Sequence, residues 1–287
     1  MPILYVDKPK GITSFKLCSI IKDILHVKKI GHTGTLDPNA SGLMIILIDE
    51  ATKANQFLLT DSKEYIGTCK LGILTDTLDI DGKVLLKDCL KLPSKIDLER
   101  TMSSFIGKYN QIPPMTSAIK VNGKKLYEYQ REGKDVDVKP REVSIFNFDL
   151  LDIKDDTFEF KCRVSSGTYV RSLIKDMLDS LSLYGTLIEL RRTKIDTIDI
   201  SSSQGLDDIK NNNANYHSLY EILSSRYNVY VAENIQDVIN GKRLKLNGYT
   251  DNDILVVDKS NNVLAMYHKE NDEYVCTRGL FWLKNIT

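Results

Sequence analysis

The sequence predicts an α+β fold with a small β-rich module at its C-terminal end. Helical and strand-like stretches follow one another irregularly up to about residue 226. They lack the strict alternation of a doubly wound parallel sheet. From about Tyr227 the pattern changes to short strands separated by turn residues. At 287 residues the chain is long enough for one large domain plus a small one. We therefore divide it into 1–226 and 227–287.

Taken in order, residues 3–6 form a short apolar strand. Thr13 or Ser14 offers a hydroxyl cap to a helix reaching about His26, with Leu17, Ile20, Ile21, Ile24 and Leu25 as its apolar stripe. The apolar run 43–48 reads as a buried strand, and 50–59 as a helix. Strands at 65–71 and 83–86 flank a loop at 75–82. Residues 98–105 are helical, and 143–151 pairs with 158–164 around Lys154-Asp155-Asp156. A helix at 169–183 precedes a strand at 190–200. The polar stretch 210–215 is a surface loop, with a helix near 217–223 behind it. The tail has strands at 229–231, 254–257, 263–267 and 274–277. A helix at 235–239 ends at Asn240-Gly241, and 260–262 is a turn.

Composition narrows the class. Hydrophobic residues make up 42% of the chain, as in an ordinary globule. No apolar run approaches the roughly 20 residues of a membrane-spanning helix. The N-terminus, Met1-Pro2-Ile3-Leu4-Tyr5-Val6-Asp7, lacks a signal peptide's basic and apolar regions, so a cytoplasmic location is expected. Five cysteines, Cys18, Cys69, Cys89, Cys162 and Cys276, are scattered and never spaced C-x-x-C. That argues against a disulfide framework or zinc site, and for buried thiols. Formal net charge is zero, which speaks weakly against a nucleic-acid protein. Distribution matters more than the sum, and basic residues cluster before residue 31, at 120–125 and at 191–194. Each cluster read alone is a solvated surface face.

The densest chemical signal is Gly31-His32-Thr33-Gly34-Thr35-Leu36-Asp37-Pro38-Asn39-Ala40-Ser41-Gly42. It holds three glycines, a proline, a histidine and one acid in twelve positions. Glycine lets backbone approach a ligand closely. A lone acid there suggests a nucleophile rather than a metal site. Read in isolation, Asp37-Pro38 is equally a turn.

The whole string resembles the motif of the bacterial tRNA pseudouridine-55 synthases, the TruB family: Gly-His-Thr-Gly, then Leu-Asp-Pro, a small residue and Gly. The resemblance recurs in order along most of the chain. Val6-Asp7-Lys8-Pro9-Lys10-Gly11-Ile12-Thr13-Ser14 is similar to the family's opening motif, and Ala51-Thr52-Lys53, Lys63-Glu64-Tyr65 and 71–79 are similar to later ones. So are Pro113-Pro114 through Lys120, Arg131-Glu132-Gly133, Gly167-Thr168-Tyr169-Val170-Arg171 and Leu187-Ile188-Glu189-Leu190-Arg191-Arg192. Taken alone, Asp76, Asp79 and Asp81 suggest a calcium loop, but its full spacing and terminal Glu are missing. The chain departs from the family at Leu178, Ser182 and Asp196, where the family usually has Gly.

The resemblance implies a pseudouridine synthase fold with a central mixed, mostly antiparallel sheet and a PUA-like RNA-binding tail. It implies Asp37 as the catalytic acid and Arg171 as the arginine that pairs with it. A guanidinium offers a carboxylate a fixed fork of donors and orients it. It implies that Tyr65 stacks on the target base and assists proton removal, and that Leu190 walls the uracil pocket. His32, Lys8, Lys53 and Tyr169 are the implied RNA contacts, with Lys8 and Lys53 meeting phosphate. No redox cofactor, nucleotide or metal is expected. The expected partner is the T-arm of tRNA, with the protein acting as a monomer. A guide-RNA-dependent synthase is the near alternative, although those relatives carry extra segments that this chain does not show. A non-catalytic RNA-binding or RNA-folding protein is a different one. A glycoside hydrolase would want two carboxylates flanking the bond, and this motif presents one.

Overall fold

The structure, a computed structural model, describes residues 2–58, 62–88 and 92–281. β1 (Pro2–Lys8) leads into α1 (Ser14–Leu25), β2 (Ile30–His32) and β3 (Ser41–Ile48). A 3-10 helix (Asp49–Phe57) precedes β4 (Ser62–Leu71). Next come the ribbon β5 (Ile73–Thr75) and β6 (Val84–Lys87), α2 (Lys95–Ser104) and β7 (Gly107–Gln111). A small hairpin, β8 (Lys120–Val121) and β9 (Lys124–Lys125), runs into α3 (Leu126–Arg131). The long hairpin of β10 (Arg141–Lys154) and β11 (Thr157–Ser165) is followed by α4 (Val170–Ser180), β12 (Gly185–Ile195) and β13 (Ile198–Asp199). Beyond them lie α5 (Leu206–Lys210), β14 (His217–Ser218) and α6 (Leu219–Ser224). The last part holds β15 (Asn228–Val231), α7 (Ile235–Ile239), β16 (Asp253–Val257), β17 (Val263–Glu270) and β18 (Glu273–Gly279).

The main sheet runs β14-β1-β3-β12-β4-β11-β10-β7, with β2 on β3 and β13 on β12. Only β3 and β12 run parallel; the other pairings in this sheet are antiparallel. The sheet is therefore mixed and mostly antiparallel, and the fold is α+β. β15-β16-β17-β18 form a second, four-stranded sheet.

The run of apolar residues in β3 is explained by burial on both faces. Met44, Ile46 and Ile48 join Leu4, Val6 and the stripe of α1 (Leu17, Cys18, Ile21) in one core. Leu43, Ile45 and Leu47 turn the other way, with Ile3 and Tyr5, and meet Leu255, Val257, Val263 and Met266 of the small sheet. That small sheet keeps a core of its own on its far side, around Ile254, Val256, Tyr267 and Tyr274.

Thr13 is the cap of α1: its hydroxyl accepts from Lys16 N–H at 3.0 Å. The helix stops at His26, whose φ is 52°. The stretch expected as a helix from residue 50 is a 3-10 helix, and its expected last residue, Leu59, lies outside the described residues. The strand expected at 190–200 starts earlier, at Gly185, and ends at Ile195. The irregular register against β4 between Leu187 and Glu189 breaks the alternation that would mark a strand there, and Gly185 packs closely, with a Cβ there 2.8 Å from both Cys69 and Leu178. The helix expected at 169–183 spans Val170–Ser180. His217 and Ser218 pair with β1 rather than beginning a helix. β2, β7, β8, β9 and α5 were too short or too polar to read from pattern.

Two departures from the family's glycines adopt a glycine-like backbone all the same. Ser182 has φ 56° and Asp196 φ 51°. Asp196 offsets the strain with its carboxylate, which accepts from Ser62 N–H at 2.7 Å and pairs with Arg226. Cys18, Cys69, Cys162 and Cys276 are free thiols, and Cys89 lies outside the described residues. Among the described residues no helix is long and apolar enough to cross a membrane.

Candidate active site

Because β2 and β3 pair antiparallel, residues 33–40 must close a hairpin. Asp37 opens a turn within it, with Ala40 N–H donating to Asp37 O at 3.1 Å. The turn and the site are thus one object. Ser14 holds the loop from α1: its hydroxyl donates to Leu36 O and accepts from Leu36 N–H, both at 2.9 Å. Gly11 N–H donates to Pro38 O at 2.9 Å. Gly42, where the loop rejoins the sheet, has φ +112°, and a Cβ there would lie 2.3 Å from the carbonyl oxygen of Arg192. Only glycine lets β3 approach β12 this closely.

Two buried cations brace the loop from behind. Lys8 is wholly buried, and its ammonium donates to Pro9 O at 2.9 Å, Ile12 O at 2.8 Å and Pro38 O at 3.2 Å. Burial pushes its pKa down to about 8, with Asp37 opposing that shift and Arg192 adding to it. The expected phosphate contact is therefore corrected: an ammonium spent on three carbonyls and shut off from solvent supports the turn instead. Arg192 is also wholly buried, donating to Leu43 O at 2.7 Å, Gly34 O at 3.2 Å and Thr35 O at 3.5 Å.

Arg171, the second residue of α4, reaches Asp37 with a fork. Its Nε stands 2.9 Å from Oδ2 and its NH2 donates to Oδ1 at 3.1 Å. The remaining nitrogen donates to Thr77 O at 3.0 Å and to the Thr116 hydroxyl. The guanidinium is buried, while the Asp37 side chain keeps 37% of its exposure. The carboxylate is thus held on one side and open on the other. α4 has no side-chain cap; Gln111 fixes its first turn by accepting from Tyr169 N–H at 2.8 Å and donating to Tyr169 O at 3.1 Å.

The open side faces a cavity of about 340 Å³, lined by Asp37, Lys63, Tyr65, Tyr169, Arg171 and Leu190 among others. That is in the range of small-ligand sites, roughly 300–1,000 Å³. Burial raises the Tyr65 and Tyr169 pKa values; the positive charge of Arg192 beside Tyr65 opposes this. Both phenols stay protonated near neutral pH. Asn39 Nδ2 donates to Asp79 Oδ1 at 3.0 Å, tying the loop to the segment that holds Arg171 through Thr77.

The structure brings Asp37, Tyr65, Tyr169, Arg171 and Leu190 together, and leaves two other expected contacts off the cavity wall. His32 lies on β2 behind the loop, with its Nδ1 buried and without a partner among the described residues. Burial, then Arg192, lowers its pKa. Lys53 sits on the 3-10 helix, ion-paired with Glu50. Sequence reading missed Lys63, Gln111, Thr116 and Arg192 as parts of the site. Lys63 and Arg192 stood inside the quoted motifs, but nothing in their spacing set them apart from surface cations. Among the described residues no group of three or more His, Cys, Asp or Glu is placed to hold a metal.

A loop-borne carboxylate, forked by a buried arginine and facing a tyrosine-walled cavity of small-ligand size, defines an active site built on a single oriented carboxylate. The model of the TruB family pseudouridylate synthase N-terminal domain matches residues 22–170. The chain is 38% identical over 288 residues to tRNA pseudouridine synthase B of Mycoplasma capricolum, covering 96% of each. It is also 38% identical to the protein of that name from Clostridium tetani, over 93% of this chain and 92% of the relative. A chain in a solved H/ACA ribonucleoprotein, bound to a substrate RNA containing 2′-deoxyuridine, superposes with a TM-score of 0.74 at 20% identity. It covers 99% of this chain and 86% of its own, and shows the shared fold. The chain belongs to the TruB family and is a pseudouridine synthase.

Proposed function

We propose that this enzyme converts the uridine at position 55 in the T-arm of tRNA to pseudouridine, acting as a cytoplasmic monomer on a flipped-out base. The observation that carries this reading is the forked contact of Arg171 with Asp37, at 2.9 and 3.1 Å, beside a nucleoside-sized cavity. The relatives named above act on tRNA by name, which supports tRNA over other RNAs.

The reaction breaks the N1–C1′ bond, turns the uracil and joins C5 to C1′; the proton lost from C5 is matched by one gained at N1, so substrate and product are isomers. The base must leave its stack for these atoms to be reached. Arg171 fixes the Asp37 carboxylate, whose free oxygen face meets the nucleotide as nucleophile. Tyr65 and Leu190 wall the base, so that the detached uracil turns without release and water stays out. A protonated phenol is a poor general base, so stacking is the larger part of Tyr65's role. Tyr169 contributes a further wall. The small C-terminal sheet serves as the PUA-like module, on which the rest of the RNA bears. His32 and Lys53 lie outside the cavity, and any contact they make is with the RNA around the flipped nucleotide.

The test is a single-turnover reaction with an unmodified tRNA transcript, mapping pseudouridine with wild type and with Asp37→Asn. The expected result is one pseudouridine in the T-arm with wild type and none with the variant. Tight binding without conversion would instead indicate an RNA-folding protein. Conversion only when a guide RNA is added would indicate the guided class.

A further inference from the structure

Lys63 is the cation of this cavity that the mechanism leaves unused. It is the second residue of β4, opposite Val164 of β11 and Ile195 of β12. Its ammonium donates to the Ser166 hydroxyl at 3.2 Å. It also lies against the catalytic loop, 3.2 Å from where a Gly34 Cβ would stand. The other cations near the loop are occupied. Arg171 is spent on Asp37, Thr77 and Thr116, Arg192 on three carbonyls, and Lys8 on three more. Asp37 is neutralised by Arg171 and Asp196 by Arg226, so Lys63 stands as a surplus positive charge. Among the described residues no carboxylate lies within ion-pair distance of it.

Lys63 meets a turn that carries hydroxyl groups, the Thr168 hydroxyl lying 3.3 Å from that of Ser165. The turn at 166–168 carries the Ser166 and Thr168 hydroxyls, and Gly167 at its tip has φ +88° with open space beside it. Gly167, Thr168 and Lys63 all line the cavity. A nucleotide that swings out of its stack carries its flanking phosphates to the cavity mouth. There an unpaired cation on the cavity wall attracts a phosphate's negative charge. We propose that Lys63 and the turn at 166–168 seat one backbone phosphate flanking the flipped nucleotide. This rests on the pseudouridine-synthase reading of the cavity.

The test measures equilibrium binding of an RNA stem-loop carrying the target uridine. Two further oligonucleotides have a neutral methylphosphonate on its 5′ or its 3′ side. One of the two should bind wild-type protein about tenfold more weakly, the loss of one charge-assisted contact. In Lys63→Gln the same methylphosphonate should cost nothing further. The slope of log K against log salt should fall in size by about 0.7, one single-strand phosphate, and Lys63→Arg should restore it. If wild-type protein binds both methylphosphonates within twofold of the parent, the seat is refuted, with no need of a variant that folds. An unchanged salt slope in a folded Lys63→Gln protein refutes it too. The same wild-type preparation is assayed for pseudouridine on the parent stem-loop. No product there counts against the functional reading, whereas product with indifferent methylphosphonates counts against the phosphate seat alone.

Discussion

Arg171→Lys keeps the positive charge beside Asp37 and removes the fork. In the wild-type site the guanidinium makes two bonds to the carboxylate, at 2.9 and 3.1 Å, and two more to Thr77 O and the Thr116 hydroxyl. A lysine ammonium is a point charge on a flexible stem; it keeps one carboxylate bond and cannot fix the plane. Loss of one bond to a charged group costs about 1.5–3 kcal/mol, roughly 10–100-fold. A carboxylate displaced by an ångström costs about 10²-fold more. The single-turnover rate should therefore fall by about 10³-fold or more, while tRNA affinity stays within about threefold, because Arg171 is buried and faces Asp37 rather than the RNA backbone. Quenched-flow or manual sampling with enzyme in excess measures the first quantity, and filter binding the second. A variant that reacts within about tenfold of wild type, folded and binding normally, would show that the fork is not what orients the nucleophile.

Gly42→Ala should destabilise the protein by more than about 3 kcal/mol, since a Cβ 2.3 Å from Arg192 O at φ +112° forces β3 away from β12; urea denaturation reads it. Gln111→Leu strands the Tyr169 N–H that Gln111 satisfies at 2.8 Å, while the Tyr169 C=O keeps its bond from Leu173 N–H at 3.0 Å, so a loss of about 1–3 kcal/mol is expected by the same measurement. RNA affinity should fall as pH rises through about 8 in the unbound enzyme's titration of Lys63. Burial holds that lysine down at about 8, Arg192 on β12 adds to the shift, Asp196 beyond it opposes it, and the Ser166 hydroxyl is its direct partner. The ammonium is charged below that pH and lost above it, so the contact is full on the acid side. Lys63→Arg should flatten this limb between pH 7 and 9, and an unflattened limb would assign the titration to another group.

Much of the fold was legible because burial leaves a period. The stripe of α1 and the continuous run of β3 are written in side chains, and both lie where pattern put them. β12 begins five residues before its expected start, where an irregular register between Leu187 and Glu189 interrupts the alternation that a period needs. β2 and β14 are three- and two-residue strands that exist only because β3 and β1 offer an edge to pair with. No local sequence signal marks such strands. Likewise the small sheet reads as a separate module in sequence, yet Leu255, Val257 and Met266 share a core with β1 and β3. Contacts between distant segments carry no imprint in either segment alone.

The site shows the same limit more sharply in its cations. A lysine or arginine in a sequence motif of an RNA enzyme invites a phosphate, and Lys8, Lys53, Lys63 and Arg192 all stand in such motifs. Their geometry separates them. Lys8 and Arg192 are wholly buried and donate to carbonyls, so their charge acts inward, holding the backbone of the loop that presents Asp37. Lys53 is paired to a neighbouring acid one helical turn away. Lys63 alone of the four both lines the cavity and lacks an anionic partner among the described residues. Charge type was readable in the sequence. What Lys63 faces depends on the register of β4 against β11 and β12, which places it beside Val164 and Ile195 and its ammonium between the loop and the turn at 166–168. A shift of one residue in that register would turn Lys63 to the opposite face of the sheet and bring Glu64 to the cavity. An acid there would repel the phosphate, so the β4 register selects which charge the RNA meets.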